Sequence, residues 1–265
     1  MCRLLGVVSS ENTDFRLSLC EAPRSLALLS RAHPHGWGIA VWDDASGWSI
    51  AKEPVCAEGD ARFHSVACGS RGELLVAHVR NRTVGPSSPA NTHPFRRGRW
   101  IFAHNGTLTE TDRLRRETSP ARLGEVVGET DSELLFAFLL TRLDAADLAD
   151  APAGDATDAA LASAMEHLLD RPIGACNFLL SDGDTLYAHR SGRTLFLLER
   201  APGDRVVAHR RSEETGATLA TPWSPRRRAV LIASEELTDE PWRALGERSL
   251  VRVDRRPQPR WRSLF

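Results

Sequence analysis

Residues 128–143 read GETDSELLFAFLLTRL, and the placement of this stretch settles how the remainder is understood. Thr130, with Glu133 three residues on, is the capping-box pattern, in which a hydroxyl and a carboxylate satisfy N–H groups that a helix's first turn leaves unpaired. Leu134, Leu135, Phe138, Leu139 and Leu143 recur at helical spacing, so a helix beginning near Thr130 presents an apolar face. Working outward, a second helix is expected over 156–169, with the Ala- and Asp-rich residues 144–155 as the connection. Before this block come short apolar runs read as strands at 3–9, 36–42, 73–79 and 99–103, and a helical spacing over 23–32. The glycines of GWGIAVW, 36–42, suggest that another stretch of backbone approaches closely there. After the helices, 177–181 and 185–190 flank Asp182-Gly183, a hairpin signal, and further strands are expected at 194–198, 205–209 and 229–233. Strands, then helices, then strands, without strand–helix alternation or internal repeats, describe an α+β layered domain rather than a doubly wound sheet.

A chain of 265 residues can bury a sizeable core, and 42% hydrophobic with 26% charged residues is ordinary for a globular protein. A formal charge of −1 gives no global field toward polyanions, so neither a nucleic-acid nor a membrane partner is expected. The 34 basic residues include one lysine, Lys52, a bias that reads as coding composition rather than a binding role. The densest basic run, 252–262, is read as part of a solvated C-terminal tail over about 254–265. Five cysteines, an odd number without a C-x-x-C pair, do not describe a disulfide framework, and Cys20, Cys56, Cys68 and Cys176 read as small buried hydrophobes. The apolar start is too short for a signal peptide, meeting charge at Glu11 and Asp14, and no apolar run reaches the ~18 residues of a membrane span, so a cytoplasmic protein is expected.

The chemistry begins at Cys2. Removal of Met1 ahead of this small residue would place a thiol and an α-amino group on one residue. Their reference pKa values, about 8.5 and about 7.7–8.0, are close enough for the amine to take the thiol proton and later return it. A Met-Cys start alone carries little weight, because many proteins begin so. Arg80 ends the 73–79 strand and enters a long loop, 80–95, where a guanidinium could grip a carboxylate bidentately and Thr83 could add a hydroxyl. His104-Asn105-Gly106 follows the 99–103 strand, at what reads as a strand-to-turn junction. An Asn amide and a Gly N–H there suit an oxyanion, although Asn-Gly is also a plain turn. Asp131 in the first helical turn either complements the helix dipole or binds an ammonium group, and spacing leaves both open. The nine histidines show no H-E-x-x-H or comparable ligand spacing, so no metal is expected. Phosphate-loop and dinucleotide fingerprints are absent, and no cofactor is expected.

Taken together and in order, MCRLLGV, HPHGWGIAVW, LVAHVRNRTVG, NTHPF, FAHNGTL and GETDSELL resemble the signatures of class II glutamine amidotransferases, most closely the stand-alone, YafJ-type members. CNFLLSDGDTLYAHR and VLIASEELTDEPWRAL extend the resemblance over nearly the whole chain. It implies one domain over 1–265 with the four-layer αββα sandwich of N-terminal nucleophile hydrolases. It also implies Cys2 as nucleophile, Asn105 and Gly106 as oxyanion hole, Arg80 and Thr83 on the substrate α-carboxylate, and Asp131 on its α-ammonium. The implied reaction cleaves the side-chain amide of glutamine or a γ-glutamyl compound through a γ-glutamyl thioester. Three positions depart from the family pattern: His35 replaces Asp before Gly-Trp-Gly, and Asn81 and Val84 replace Trp and His of synthase-linked relatives. If the amidohydrolase fold takes the whole chain, ammonia goes to a separate synthase, or the protein is a γ-glutamyl amide hydrolase like that of ergothioneine biosynthesis. A glutamyl-binding module without turnover would be expected to have lost part of the set Cys2, Arg80, Asn105, Gly106 and Asp131, all of which are present.

Overall fold

The computed structural model describes residues 2–211, 218–222 and 226–265, with 205–211 and 218–222 described in backbone only. The first part of the chain runs β1 (Arg3–Asp14), α1 (Leu26–Leu29), β2 (Trp37–Asp43), β3 (Gly47–Glu53), α2 (Ala61–Gly69) and β4 (Arg71–Val79). After the long loop come β5 (Phe95–Arg97), β6 (Trp100–Leu108), α3 (Thr111–Glu117), α4 (Pro120–Leu123), α5 (Asp131–Asp144) and α6 (Asp155–Leu169). The remainder is strand: β7 (Gly174–Ser181), β8 (Thr185–Arg190), β9 (Phe196–Arg200), β10 (Arg205–Arg211), β11 (Thr218–Pro222), β12 (Ala229–Ala233), β13 (Arg243–Ala244), β14 (Ser249–Asp254) and β15 (Arg260–Ser263).

Among the described residues these strands form two large antiparallel sheets and the β10–β11 hairpin. The first sheet has the order β13-β9-β12-β1-β4-β2-β3 and the second β15-β14-β8-β7-β6-β5. Period-2 alternation sends each strand's side chains to two different cores. Leu4, Val8, Val76, Ile101, Ala103, Leu179 and Ile232 pack between the sheets. Leu5, Val7, Leu75 and Leu231 face the other way, onto α1 and α2, while Phe102, Phe178 and Leu180 face α5 and α6. Three apolar cores therefore separate four layers, αββα, as the resemblance implied.

Helix α5 is capped as its sequence indicates, Thr130 Oγ1 accepting from Glu133 N at 3.2 Å. Only half of the box forms, because the Glu133 carboxylate accepts instead from Val127 N and Gly128 N and pairs with Arg97. The expected one-sided apolar face is also too narrow, since Leu134 to Leu140 are all buried. A helix covered by α3, α4 and α6 as well as by a sheet is apolar all round.

Other boundaries shift for tertiary reasons. The strand expected at 99–103 continues to Leu108, because Asn105, Gly106 and Thr107 pair with Asn177, Cys176 and Ala175 of β7. His104-Asn105-Gly106 is thus mid-strand, not a strand-to-turn junction. The helix expected over 23–32 shortens to α1 and a single 3-10 turn, Ser30–Ala32. Of the residues expected to form a solvated tail, 254 closes β14 and 260–263 form β15, and these two strands pair with one another. The arginines of this stretch meet carboxylates: Arg252 with Asp158 and Asp254, Arg255 with Asp44, Glu73 and Asp184, and Arg262 with Asp155 and Asp158. Of the four cysteines read as buried, Cys176 alone is; Cys20 and Cys56 are half-buried and Cys68 is exposed. Among the described residues no helix is long and apolar enough to cross a membrane.

Candidate active site

The pairing register gathers the candidate residues from distant parts of the chain. Arg3 pairs with Val79, so Cys2 lies beside Arg80 at the end of β4, and Leu5 pairs with Ala233, which sets Leu4 opposite Ser234 just past β12. By alternation Cys2 shares the inter-sheet face of Leu4, and Asn105 shares that of Ala103. Helix α5 points its capped N-terminus, with Asp131, toward the same end. Cys2, Arg80, Thr83, Gly106 and Asp131 line one small pocket. An adjoining pocket is lined by Cys2, Thr83, Asn105, Gly106, Thr107 and Arg193. All six residues singled out from the sequence therefore sit at one place.

The Cys2 thiol is held by one peptide group: Asn81 N–H donates to Sγ at 3.3 Å, and Sγ donates to Asn81 O at 3.5 Å. Burial pushes the thiol pKa above its usual value, against the lowering effects of the Asn81 N–H and of Arg80. Burial thus favours the protonated form of this sulfur. The Asn105 amide donates to Ser234 Oγ at 3.3 Å, and Ser234 Oγ also accepts from Leu4 N at 3.0 Å. An amide NH₂ has two hydrogens, and Ser234 takes one of them. At Gly106 a Cβ would lie 1.9 Å from Ala175 O and 2.6 Å from His104 Nε2, so any side chain would push β6 from β7.

Arg80 is buried, and its guanidinium donates to Val84 O at 2.7 Å and Pro86 O at 2.9 Å. These bonds fold the long loop over the pocket while leaving other N–H groups for a ligand. Thr83 Oγ1 accepts from Thr107 Oγ1 at 3.2 Å. Asp131 Oδ2 accepts from Leu108 N at 2.6 Å, which orients the carboxylate.

Buried histidines back the pocket. His78 Nε2 donates to His104 O at 3.1 Å. Ala175 O can only accept, so His104 donates through Nε2 at 3.3 Å and receives the Ser132 hydroxyl on Nδ1 at 2.8 Å. Burial lowers the pKa of His104, and lowers that of His78 to about 3. His93 lines the pocket, its ring 4.3 Å from that of His78 and its pKa lowered well below normal by burial. Gly38 makes room for this segment, since a Cβ there would lie 2.0 Å from His93 O, as the GWG glycines suggested. His35 Nδ1 accepts from Arg82 N at 3.2 Å and contacts Asn81 Oδ1 at 3.1 Å, so it braces the loop start rather than facing the pocket. Its neighbour Asn81 contributes through its main chain, which explains how a side-chain departure there leaves the thiol's hydrogen bonds in place.

Sequence reading missed Ser234, Asn177 and Arg193. Ser234 and Asn177 lie in quoted motifs but carry no local signal of their task, and Arg193 is one arginine among many.

Comparisons with known proteins bear on the family and the fold. A sequence model for the family described as glutamine amidotransferases class-II matches residues 1–260. The chain is 31% identical over 263 residues to the putative glutamine amidotransferase YafJ of Escherichia coli (strain K12), covering 92% of this chain and 94% of YafJ. It is 30% identical over 268 residues to the gamma-glutamyl-hercynylcysteine sulfoxide hydrolase of Mycolicibacterium smegmatis, covering 96% of each. The crystal structure of a predicted glutamine amidotransferase from Pseudomonas aeruginosa PA01 superposes with a TM-score of 0.65 at 26% identity, covering 95% of this chain and 97% of that one. With its four-layer fold and a matching family sequence from end to end, the chain belongs to the class II glutamine amidotransferases.

Proposed function

We propose that the chain hydrolyses the side-chain amide of glutamine or of a γ-glutamyl compound, with Cys2 as N-terminal nucleophile once Met1 is removed. The observation that carries this reading is the meeting of Cys2, Arg80, Asn105, Gly106 and Asp131 at adjoining pockets. Arg80 and Thr83 hold the substrate α-carboxylate and Asp131 its α-ammonium, which sets the γ-carbonyl against Sγ. The freed α-amine takes the thiol proton, sulfur attacks, and the oxyanion is met by the second hydrogen of the Asn105 amide and by Gly106. The amine returns the proton to the departing nitrogen, the C–N bond breaks, and water then hydrolyses the γ-glutamyl thioester to glutamate.

The departing group is ammonia for glutamine, destined for a separate synthase, or an amine for a γ-glutamyl amide. The relative from Mycolicibacterium smegmatis is named as a hydrolase of the second kind, and YafJ as a putative glutamine amidotransferase. Intact-mass analysis after incubation with 6-diazo-5-oxonorleucine tests both requirements at once. The expected product lacks Met1 and carries one label on Cys2. Cys2→Ala is expected to abolish labelling and turnover while leaving the circular dichroism spectrum unchanged; turnover retained by Cys2→Ala would overturn the mechanism.

A further inference from the structure

The second pocket at Cys2 contains a cation that the glutamyl head does not use. Arg193 lines it together with Cys2, Asn105, Gly106 and Thr107, whereas Arg80 and Asp131 line only the first pocket. With the glutamyl head held in the first pocket, the second is the remaining described pocket at Cys2 for a departing group. Nearby arginines are neutralised: Arg190 pairs with Glu247 and Arg3 with Glu235. Among the described residues Arg193 has no carboxylate partner, and its Nε is buried without a hydrogen bond.

The segment that carries Arg193 is built to hold it there. Asn177, fully buried and directly opposite Asn105 in the β6–β7 pair, donates to Arg193 O and Thr194 O, each at 3.1 Å. Its Oδ1 accepts from Ser191 N at 2.8 Å. Arg190 Nε donates to Arg193 O at 2.9 Å, and Thr194 Oγ1 donates to Ser234 O at 2.9 Å. Ser234 is the residue that orients the Asn105 amide. One buried asparagine and one serine thus register the arginine against the oxyanion donors.

We infer that Arg193 selects substrates whose departing amine carries a carboxylate, that is, γ-glutamyl amides of α-amino acids rather than free glutamine. In such a substrate the carboxylate sits one carbon from the scissile nitrogen, within reach of a group lining the same pocket as Cys2. The overall change is balanced: the γ-glutamyl C–N bond is cleaved, water supplies hydroxyl to the acyl carbon and a proton to nitrogen, and glutamate and an amino acid leave. This inference deepens the amidohydrolase reading and rests on it.

The test compares γ-glutamylglycine, γ-glutamylmethylamide and glutamine on the full, processed chain. The two amides differ by the carboxylate. A charge-assisted pair in a partly buried site is expected to favour γ-glutamylglycine over γ-glutamylmethylamide about 10- to 100-fold in kcat/KM. Arg193→Gln is expected to collapse that ratio toward one, and Arg193→Lys to restore part of it. The ratio, rather than any absolute rate, is the readout, so a variant of lowered stability still reports. Equal kcat/KM for the two amides in the unmodified chain, or an unchanged ratio in Arg193→Gln, overturns the inference while leaving the amidohydrolase reading intact. No turnover of any of the three substrates overturns both.

Discussion

At the scale of single residues, the site depends on groups whose burial raises the consequence of removing them. Arg80 is 3% exposed and ties the 84–86 carbonyls down; in the proposed function its remaining N–H groups also take the substrate carboxylate. Arg80→Ala is therefore expected to cost ~2–5 kcal/mol in kcat/KM for a γ-glutamyl substrate. Steady-state kinetics at matched folded fraction check this, and an unchanged kcat/KM removes Arg80 from the site. In the proposed mechanism Asn105 acts differently, since its amide would meet charge that exists only after attack. Asn105→Ala is expected to lower kcat about 100- to 1,000-fold with a much smaller change in KM. A raised KM at constant kcat would make it a residue that positions the ground state instead.

At the scale of elements, two junctions deliver the chemistry. The first is the β6–β7 pair, which carries Asn105 and Gly106 in mid-strand and orients the Arg193 segment through Asn177. The second is the start of α5, where Thr130 caps the helix and the next residue, Asp131, anchors to Leu108 N of β6. Removing a threonine cap costs ~1 kcal/mol. Thr130→Ala is thus expected to lower Tm by about 2–4 °C, and to raise KM as Asp131 loses its fixed direction. A lowered Tm with an unaltered KM would detach the helix start from substrate binding. Much of this level is legible in sequence: the Thr130 cap, the Asp182-Gly183 hairpin and the period-2 strands all read from neighbours a few residues apart. The exceptions share one cause. β6 runs past 103, and 254–265 is not a tail, because each is completed by a strand or carboxylate far away in the chain.

At the scale of the molecule, three apolar cores stack four layers, and polar groups are enclosed where the layers meet. Burial lowers the pKa of His33 and His189 to about 4 and of His78 to about 3. The unfolded chain, with histidines near 6.5, binds these protons first. Between the folded and unfolded values stability therefore rises with pH, and it is lost as pH falls below about 6.5. Tm is expected to drop between pH 7 and pH 5, before most carboxylates titrate; a flat profile over that interval would show that these rings are solvated in the folded state. By itself the sequence determined the family, the α+β class, the capped helix and the identities of the six candidate groups, because motif order, capping and periodicity are written within short windows. Only the tertiary structure decided that Cys2, Asn105 and Arg193 line one pocket and that Ser234 accepts from the Asn105 amide. Register such as Leu5 opposite Ala233 and Asn105 opposite Asn177 is set by which apolar faces become buried between sheets, a free energy summed over the whole core and visible in no local stretch.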